Sequence, residues 1–368
     1  MATAVKIAVD RVSREFPAES AEQGLALCDV TLPPAPTKAP STINLSALKP
    51  PEIKTLLLHY QADIAFAPQS VALEMGWFKE AGFEKVETKS FTAGALAGEA
   101  LVAGQIHAWT PGNVPVISMR HNGVPIVVAA NLAKAPVEKL VVRADAGVKN
   151  PQDLLKIRIG LLEGSTASAV LDNLATHYGL DASKLQVVNL QPPEQLTSLT
   201  KNEIQAMVVW APFCYNARDQ LGARFLLDSN VSHFAVDDGA KVSFSHTRTP
   251  IVFTEDFIRK NPNTARAIIA VLLKGQEFVL NPANRDQAIQ IHAKRSEQAV
   301  DAVKLAWGDF GFDPMIDQVY VEDMQNYTNY LLKAGRIKKA IDPLDYLYTD
   351  ILMELKPEAV AVKGKWKP

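Results

Sequence analysis

Arg158–Asp181 reads RIGLLEGSTASAVLDNLATHYGLD. A short apolar run, Arg158–Leu161, meets the polar turn Glu163-Gly164-Ser165-Thr166, and the apolar spacing then predicts a helix over Ala167–Tyr178 with Gly179 at its C′ position. A second apolar run, Leu185–Leu190, a helix beginning near Pro193 and a third run, Ala206–Val209, follow at once. Parallel strands must be joined by crossovers, usually helical, so strand, turn, helix, strand at this spacing is a βαβ unit. That reading decides the class: α/β, with largely parallel sheets.

The same alternation extends outward. Toward the N-terminus, strands are expected at Lys54–His59, Lys85–Ser90, Ile106–Trp109, Ile126–Ala130 and Leu140–Arg143, with helices over Ser70–Ala81, Gly94–Val102 and Val114–His121. After a strand-like Ser243–Phe253 the character changes to helices: Asp256–Asn281, Arg285–Lys294, Glu297–Trp307, Met315–Ala334 and Pro343–Leu355. Thr31–Pro51 (TLPPAPTKAPSTINLSALKPP) is dense in proline, which resists helix and sheet, and reads as a linker or extended arm.

At 368 residues the chain is long enough for roughly two domains of about 150 residues. Its 38 basic and 40 acidic side chains leave a net charge of −2, without the basic excess that a nucleic-acid partner requires. Two cysteines, Cys28 and Cys214, exclude a disulfide framework and a Cys-only zinc site. The longest uncharged stretch, Ala100–Met119, is interrupted by Gly104, Gln105, His107, Pro111, Gly112, Asn113 and Pro115, so it reads as strand, turn and helix, not a membrane span. No basic segment followed by an apolar run opens the chain, so no signal peptide is expected.

Three polar turns join a strand to a helix: Thr92-Ala93-Gly94, Thr110-Pro111-Gly112-Asn113 and Glu163-Gly164-Ser165-Thr166. Such turns offer backbone N–H groups and hydroxyls at a helix N-terminus, a natural anion seat, and parallel sheets bind ligands beyond the carboxyl ends of their strands. Each also has a plain reading as an N-cap. Trp210 ends the strand Ala206–Val209 and reads either as a ligand-facing wall or as core. Cys214 reads either as a nucleophile or as a small buried hydrophobe. The seven histidines form no HxH, HExxH or His/Cys cluster, so no metal site and no cofactor are expected. His59, at the end of the first strand, is the histidine best placed for a site.

Residues from about Lys54 to Lys356 resemble the substrate-binding proteins of nitrate, sulfonate and taurine ABC importers, a group that includes the thiamine-precursor proteins. The resemblance is carried, in order, by ALEMGWFKEAGF (Ala72–Phe83), AGALAGEALVAGQIHAW (Ala93–Trp109), HNGVPIVVAANL (His121–Leu132), GSTASAVLDNLATHYGLD (Gly164–Asp181), WAPF (Trp210–Phe213) and FTEDFIRKNPNTARAII (Phe253–Ile269). It implies a type II periplasmic-binding-protein-like fold: two mostly parallel sheets flanked by helices, with a hinge near Val137 and Ser245. The implied lobes are 52–137 with 246–342, and 138–245, followed by a C-terminal helix and tail over 343–368. By matching segment, the ligand-binding residues it nominates are Tyr60, Gln61, Thr92, Ala93, Thr110, Asn113, Ser165, Thr166 and Trp210.

The match departs in two places. His107 and Trp109 stand where many relatives carry an acidic or small residue, and Ala211 stands where an Asp is frequent. Loss of that Asp makes a plain or apolar-tailed anion the expected ligand in preference to an amine-bearing one such as taurine. A second resemblance lies in the head, 1–51: KIAVDRVSREFP (Lys6–Pro17) and LALCDVTL (Leu25–Leu32) look like the first strands of an importer's ATPase subunit. The Pro-rich stretch stands where the phosphate-binding loop would follow, so no ATPase activity is expected.

The function expected from the resemblance is solute binding: a monomer that holds a small anion, a sulfonate, nitrate or related oxyanion, and delivers it to the membrane subunits of an importer in the periplasm. The alternative is a cytosolic enzyme on the same fold, acting on a sulfinate, a sulfonate or a thiamine-pyrimidine-type substrate, with His59 and Cys214 as its candidate catalytic residues. A cytosolic metabolite sensor is a third class. The missing signal peptide and the ATPase-like head favour the cytoplasm; the family resemblance favours the periplasm.

Overall fold

The computed structural model describes residues 43–368. The ATPase-like head, Cys28 and the first part of the Pro-rich stretch lie outside the described residues. The remainder of that stretch is an arm laid on the body: Ile43 and Leu45 are buried in the core, and Pro51 packs against Gly82.

Ten strands occur among the described residues: β1 (Thr55–Tyr60), β2 (Lys85–Ser90), β3 (Ile126–Ala135), β4 (Lys139–Val142), β5 (Arg158–Leu161), β6 (Gln186–Asn189), β7 (Ala206–Val209), β8 (Arg224–Asp228), β9 (Val231–Ser232) and β10 (Thr247–Thr254). β1 and β2 pair in parallel, and β3 and β10 pair antiparallel. Ala108 and Trp109, expected as a full strand, make single bridges to Leu58 and Val252 and so join the two pairs. The second sheet has the order β6-β5-β7-β4-β8-β9.

The α/β class holds, but the sheets are mixed where mostly parallel ones were expected. β5 runs parallel to β6 and β7, whereas β4 is antiparallel to both its neighbours and β8 is antiparallel to β9. The reason is the connection between sheets. β3 leaves the first sheet and reaches β4 in the second through only residues 136–138, without a helix, and the chain returns to the first sheet as β10, beside β3. Neighbouring strands that carry the chain out and back must run in opposite directions.

Helix boundaries follow backbone chemistry. The helix expected over Ser70–Ala81 is two, Ala67–Glu74 and Trp77–Glu80, because Gly76 adopts φ 71°, a left-handed conformation that ends the first. Pro262 likewise divides the expected Asp256–Asn281 helix into Glu255–Lys260 and Pro262–Leu280. Phe213–Leu221, not among the expected helices, is helical, with Cys214, Tyr215 and Ala217 packed into the core.

Three apolar clusters hold the body together. One lies between the first sheet, the helices Pro262–Leu280 and Gln318–Lys333 and the C-terminal residues, with Trp109, Met324, Leu352 and Trp366 among its members. Another lines the second sheet around Leu140, Ile159, Leu174 and Phe234. The third mixes residues from both sides: Tyr60 and Phe66 with Met207, Val209 and Trp307. The C-terminal segment is part of the first assembly, with Leu347 bridging Val128. No helix among the described residues is long and apolar enough to cross a membrane.

Pro262–Leu280 approaches Ala67–Glu74 closely at Gly275, where an added Cβ would lie 2.3 Å from the Pro68 carbonyl oxygen. Gly275→Ala gains about 1 kcal/mol of helix propensity but forces an overpacking cost of about 1–3 kcal/mol against a rigid backbone atom. A lower melting temperature is therefore expected for Gly275→Ala. The exposed Gly308→Ala, where a Cβ meets nothing within 4 Å, should melt like the parent.

Candidate functional site

The carboxyl ends of the strands converge on one cleft. Gln61 follows β1, Ala93 and Gly94 follow β2, Thr110 and Gly112 follow the Ala108–Trp109 bridges, Ser165 and Thr166 follow β5, and Trp210 follows β7. The two connections between the sheets supply the remaining walls, through Ala135, Val137 and Glu138 on one side and Thr247 and Thr249 on the other. The chamber they enclose has a volume of about 580 Å³ including its open mouth. A second chamber of about 780 Å³, measured the same way, adjoins it; Gln61 and Trp210 line both.

Of the residues nominated from sequence, Gln61, Ala93, Thr110, Ser165, Thr166 and Trp210 line the inner chamber. Tyr60 and Thr92 line the outer one. Tyr60 Oη is 3.1 Å from Ser70 Oγ, and exposed Thr92 donates to Gln191 Oε1 at 3.0 Å, a bond between a first-sheet loop and a second-sheet loop. Asn113 is absent from both walls. Its Oδ1 accepts from the Arg248 N–H at 2.6 Å and its Nδ2 lies 3.2 Å from Met324 Sδ, so its side chain secures the returning strand β10.

The two candidates for catalysis lie behind the walls. His59 Nδ1 is 3.3 Å from the Thr110 backbone N and 3.1 Å from its Oγ1. A backbone N–H can only donate, so Nδ1 accepts and the ring proton sits on Nε2, which is buried without a partner among the described residues. Burial holds the His59 pKa down at about 3, so the ring is neutral and serves to fix Thr110. Cys214 is fully buried in the mixed core, and burial pushes its thiol well above the usual range.

Sequence reading missed two lining carboxylates. Asp63 Oδ1 accepts from the Ala65 N–H at 2.8 Å, capping a short helical turn, and Asp63 is 8% exposed. Glu138 is 1% exposed and accepts from three hydroxyls: Thr166 and Ser245 donate in short bonds, and Thr247 donates at 2.9 and 3.0 Å to its two oxygens. A signal for Glu138 was present, as a Glu-Lys pair between two apolar runs. Asp63 reads as an ordinary cap. Among the described residues no three His, Cys, Asp or Glu side chains are grouped so as to hold a metal ion.

The chain was compared with known proteins. It is 26% identical over 219 residues to the taurine-binding periplasmic protein of Escherichia coli K12, a match covering 58% of this chain and 64% of that one, just under two thirds of its length. It is 23% identical over 310 residues to the nitrate/nitrite binding protein NrtA of Nostoc sp. PCC 7120, covering 76% and 67%. In structure it is similar to the alkanesulfonate-binding protein SsuA of Xanthomonas axonopodis pv. citri bound to MOPS, with a TM-score of 0.69 at 16% identity, covering 81% of this chain and 99% of that one. That likeness establishes the fold, which is the mixed α/β architecture of periplasmic binding proteins. The pattern of the family described as NMT1/THI5 like matches residues 63–285, from the Asp63 cap to just beyond the Pro262–Leu280 helix, and the chain belongs to that family.

Proposed function

We propose that this chain is the solute-binding component of an ABC importer and holds in its cleft a small ligand bearing an oxyanion, such as a sulfonate or nitrate. The observation that carries the reading is the convergence of loops from both sheets, with both intersheet connections, on one cleft. A site built this way buries most of a small ligand and couples its binding to the angle between the two halves. The lobes are 52–137 with 246–342, and 138–245, flexing at the connections near Val137 and Ser245, with 343–368 closing the first. The protein works as a monomer that presents the closed form to the importer's membrane subunits. Ser165, the N-cap of the helix Thr166–His177, places the positive end of a twelve-residue helix at the chamber wall. The Trp210 indole and the Gln61 amide supply side-chain donors; neither makes a hydrogen bond among the described residues.

An enzyme on this fold would need a reactive group at the cleft. His59 and Cys214, the candidates for that role, do not line it.

The reading is tested by a thermal-shift screen of nitrate, sulfate, sulfonates, sulfinates and thiamine-type pyrimidines, each bound compound then being recovered and weighed by mass spectrometry. A ligand at 100 times its dissociation constant adds about 2.7 kcal/mol of apparent stability. Intact recovery is expected, and consumption of the compound would identify an enzyme instead.

Trp210→Phe keeps the aromatic wall and removes only the N–H. Because a hydrogen bond to a charged group contributes about 1.5–3 kcal/mol, affinity for the oxyanion ligand should fall about tenfold or more with little change in melting temperature.

Asp63 gives a pH test. Burial, reinforced by the nearby Glu138 charge and opposed by the Ala65 N–H, raises its pKa to about 7. A carboxyl raised in the folded state stays protonated there while the unfolded chain ionises, so the ligand-free protein loses stability as pH rises from about 4 to 7. Asp63→Asn retains the cap and removes this penalty. The variant should melt higher than the parent at pH 8 and together with it at pH 4; an equal difference at both would show that the carboxyl is not strained.

A further inference from the structure

Three aromatic side chains line the inner chamber: Phe66, Trp210 and Phe310. Phe66 is buried and packs edge-on against His59, with ring centroids 5.0 Å apart, and Trp210 is buried at the end of β7. Phe310 is half-buried and belongs to no helix or strand. It also lies beyond residues 63–285, so membership of the family does not specify it.

The segment that carries Phe310 is pinned on both sides of the outgoing passage between the sheets. Toward the second sheet, the Asp309 carboxylate accepts from Tyr215 Oη at 2.6 Å and pairs with Lys139 Nζ at 3.1 Å. Toward the first, Gly311 exchanges both backbone bonds with Lys134, at 2.7 and 2.9 Å. A Cβ on Gly311 would lie only 3.2 Å from the Lys134 carbonyl oxygen, so the approach is close. The Trp307 and Phe312 rings, both buried, pack 5.5 Å apart and close the segment on itself. Lys134 and Lys139 bracket Ala135, Val137 and Glu138, which are the chamber wall that this passage supplies. Phe310 is thus one residue held between two fixed neighbours, and it packs against both the mixed core and the second-sheet core. A ring anchored in this way cannot withdraw from a longer ligand without breaking a buried ion pair or a strand bridge.

We infer that Phe310 is a specificity-determining residue of the cleft: its ring is a fixed stop that sets the length of apolar tail the inner chamber admits. Asp309, held by Tyr215 and Lys139, is the residue that positions it. This rests on the solute-binding reading for the site itself and is independent of which oxyanion the ligand bears.

The test titrates the full chain calorimetrically with straight-chain alkane-1-sulfonates of increasing length, and with the 1-alkanols of the same lengths. The proteins are the parent, Phe310→Leu, Phe310→Ala and Tyr215→Phe, each with a thermal melt to confirm its fold. In the parent, affinity should rise about fourfold per methylene until the tail meets Phe310, and fall beyond that length. In Phe310→Ala the rise should continue, so that a chain about two carbons past the parent's optimum binds about fifteenfold or more tightly than it does to the parent. Phe310→Leu, which keeps an apolar side chain in place, should lie between the two. Tyr215→Phe removes only the hydroxyl that holds Asp309 and should move the optimum the same way by a smaller step. A lower melting temperature with the parent's length profile would remove Tyr215 and Asp309 from the positioning role. The same optimum in the parent and in Phe310→Ala would overturn the stop and leave the oxyanion reading standing. A shifted optimum among the alkanols with no sulfonate bound would leave the stop standing and overturn the oxyanion reading. Binding of neither series to either protein would overturn both.

Discussion

The Glu138 carboxylate is the fixed point of this structure. It sits between β3 and β4 and draws in Thr166 from the helix after β5, and Ser245 and Thr247 from the returning connection. A buried charge is tolerated only when its lone pairs are satisfied, and breaking such an arrangement by removing one partner leaves the charge uncompensated. One side chain therefore ties together both passages between the sheets and the start of the helix that forms the cleft wall. The same bonds turn the hydroxyl protons inward to the protein, so the constraint that joins the two halves also sets the electrostatic character of the space between them.

Buried, ion-paired cations flank this point on each passage. Lys139, next to Glu138, lies between Asp228 and Asp309, with Asp309 at 3.1 Å. Burial alone would lower its pKa, but the two carboxylates outweigh that and keep it charged. Arg248, next to Thr247, pairs through Nε with Asp323 at 2.7 Å and stacks 5.3 Å from the Tyr320 ring. Removing one partner of such a pair would leave the other charge buried and uncompensated. Here they fall beside the two connections between the sheets, and each couples its connection to another element: Lys139 to Asp228 at the end of β8 and to Asp309, Arg248 to the helix Gln318–Lys333.

Much of the fold was legible because its causes are local. β5 and β7 fall where the apolar runs place them, and the helix Thr166–His177 lies within one residue of its expected span, since capping and spacing act over a few neighbours. β3, β4 and β10 fall on expected strands, but their antiparallel pairing was not legible. Periodicity records which face of a strand is buried but not which strand lies beside it, and a three-residue passage between sheets leaves no helical signature. The long expected helices broke at Gly76 and Pro262, where backbone geometry overrode continuous apolar spacing.

For the site, the sequence by itself determined which loops line the cleft: six of the nine nominated residues line the inner chamber and two more line the outer one. Strand ends and helix starts are local features, and their convergence follows from the fold class. Only the tertiary structure decided what those loops present. Thr166 could offer a proton or a lone pair until Glu138, 28 residues earlier in the chain, was brought beside it. Asn113 became a strut when β10 arrived, and Cys214 became core. A hydroxyl's or a carboxylate's chemistry depends on partners within about 3 Å, and long-range folding alone selects those partners.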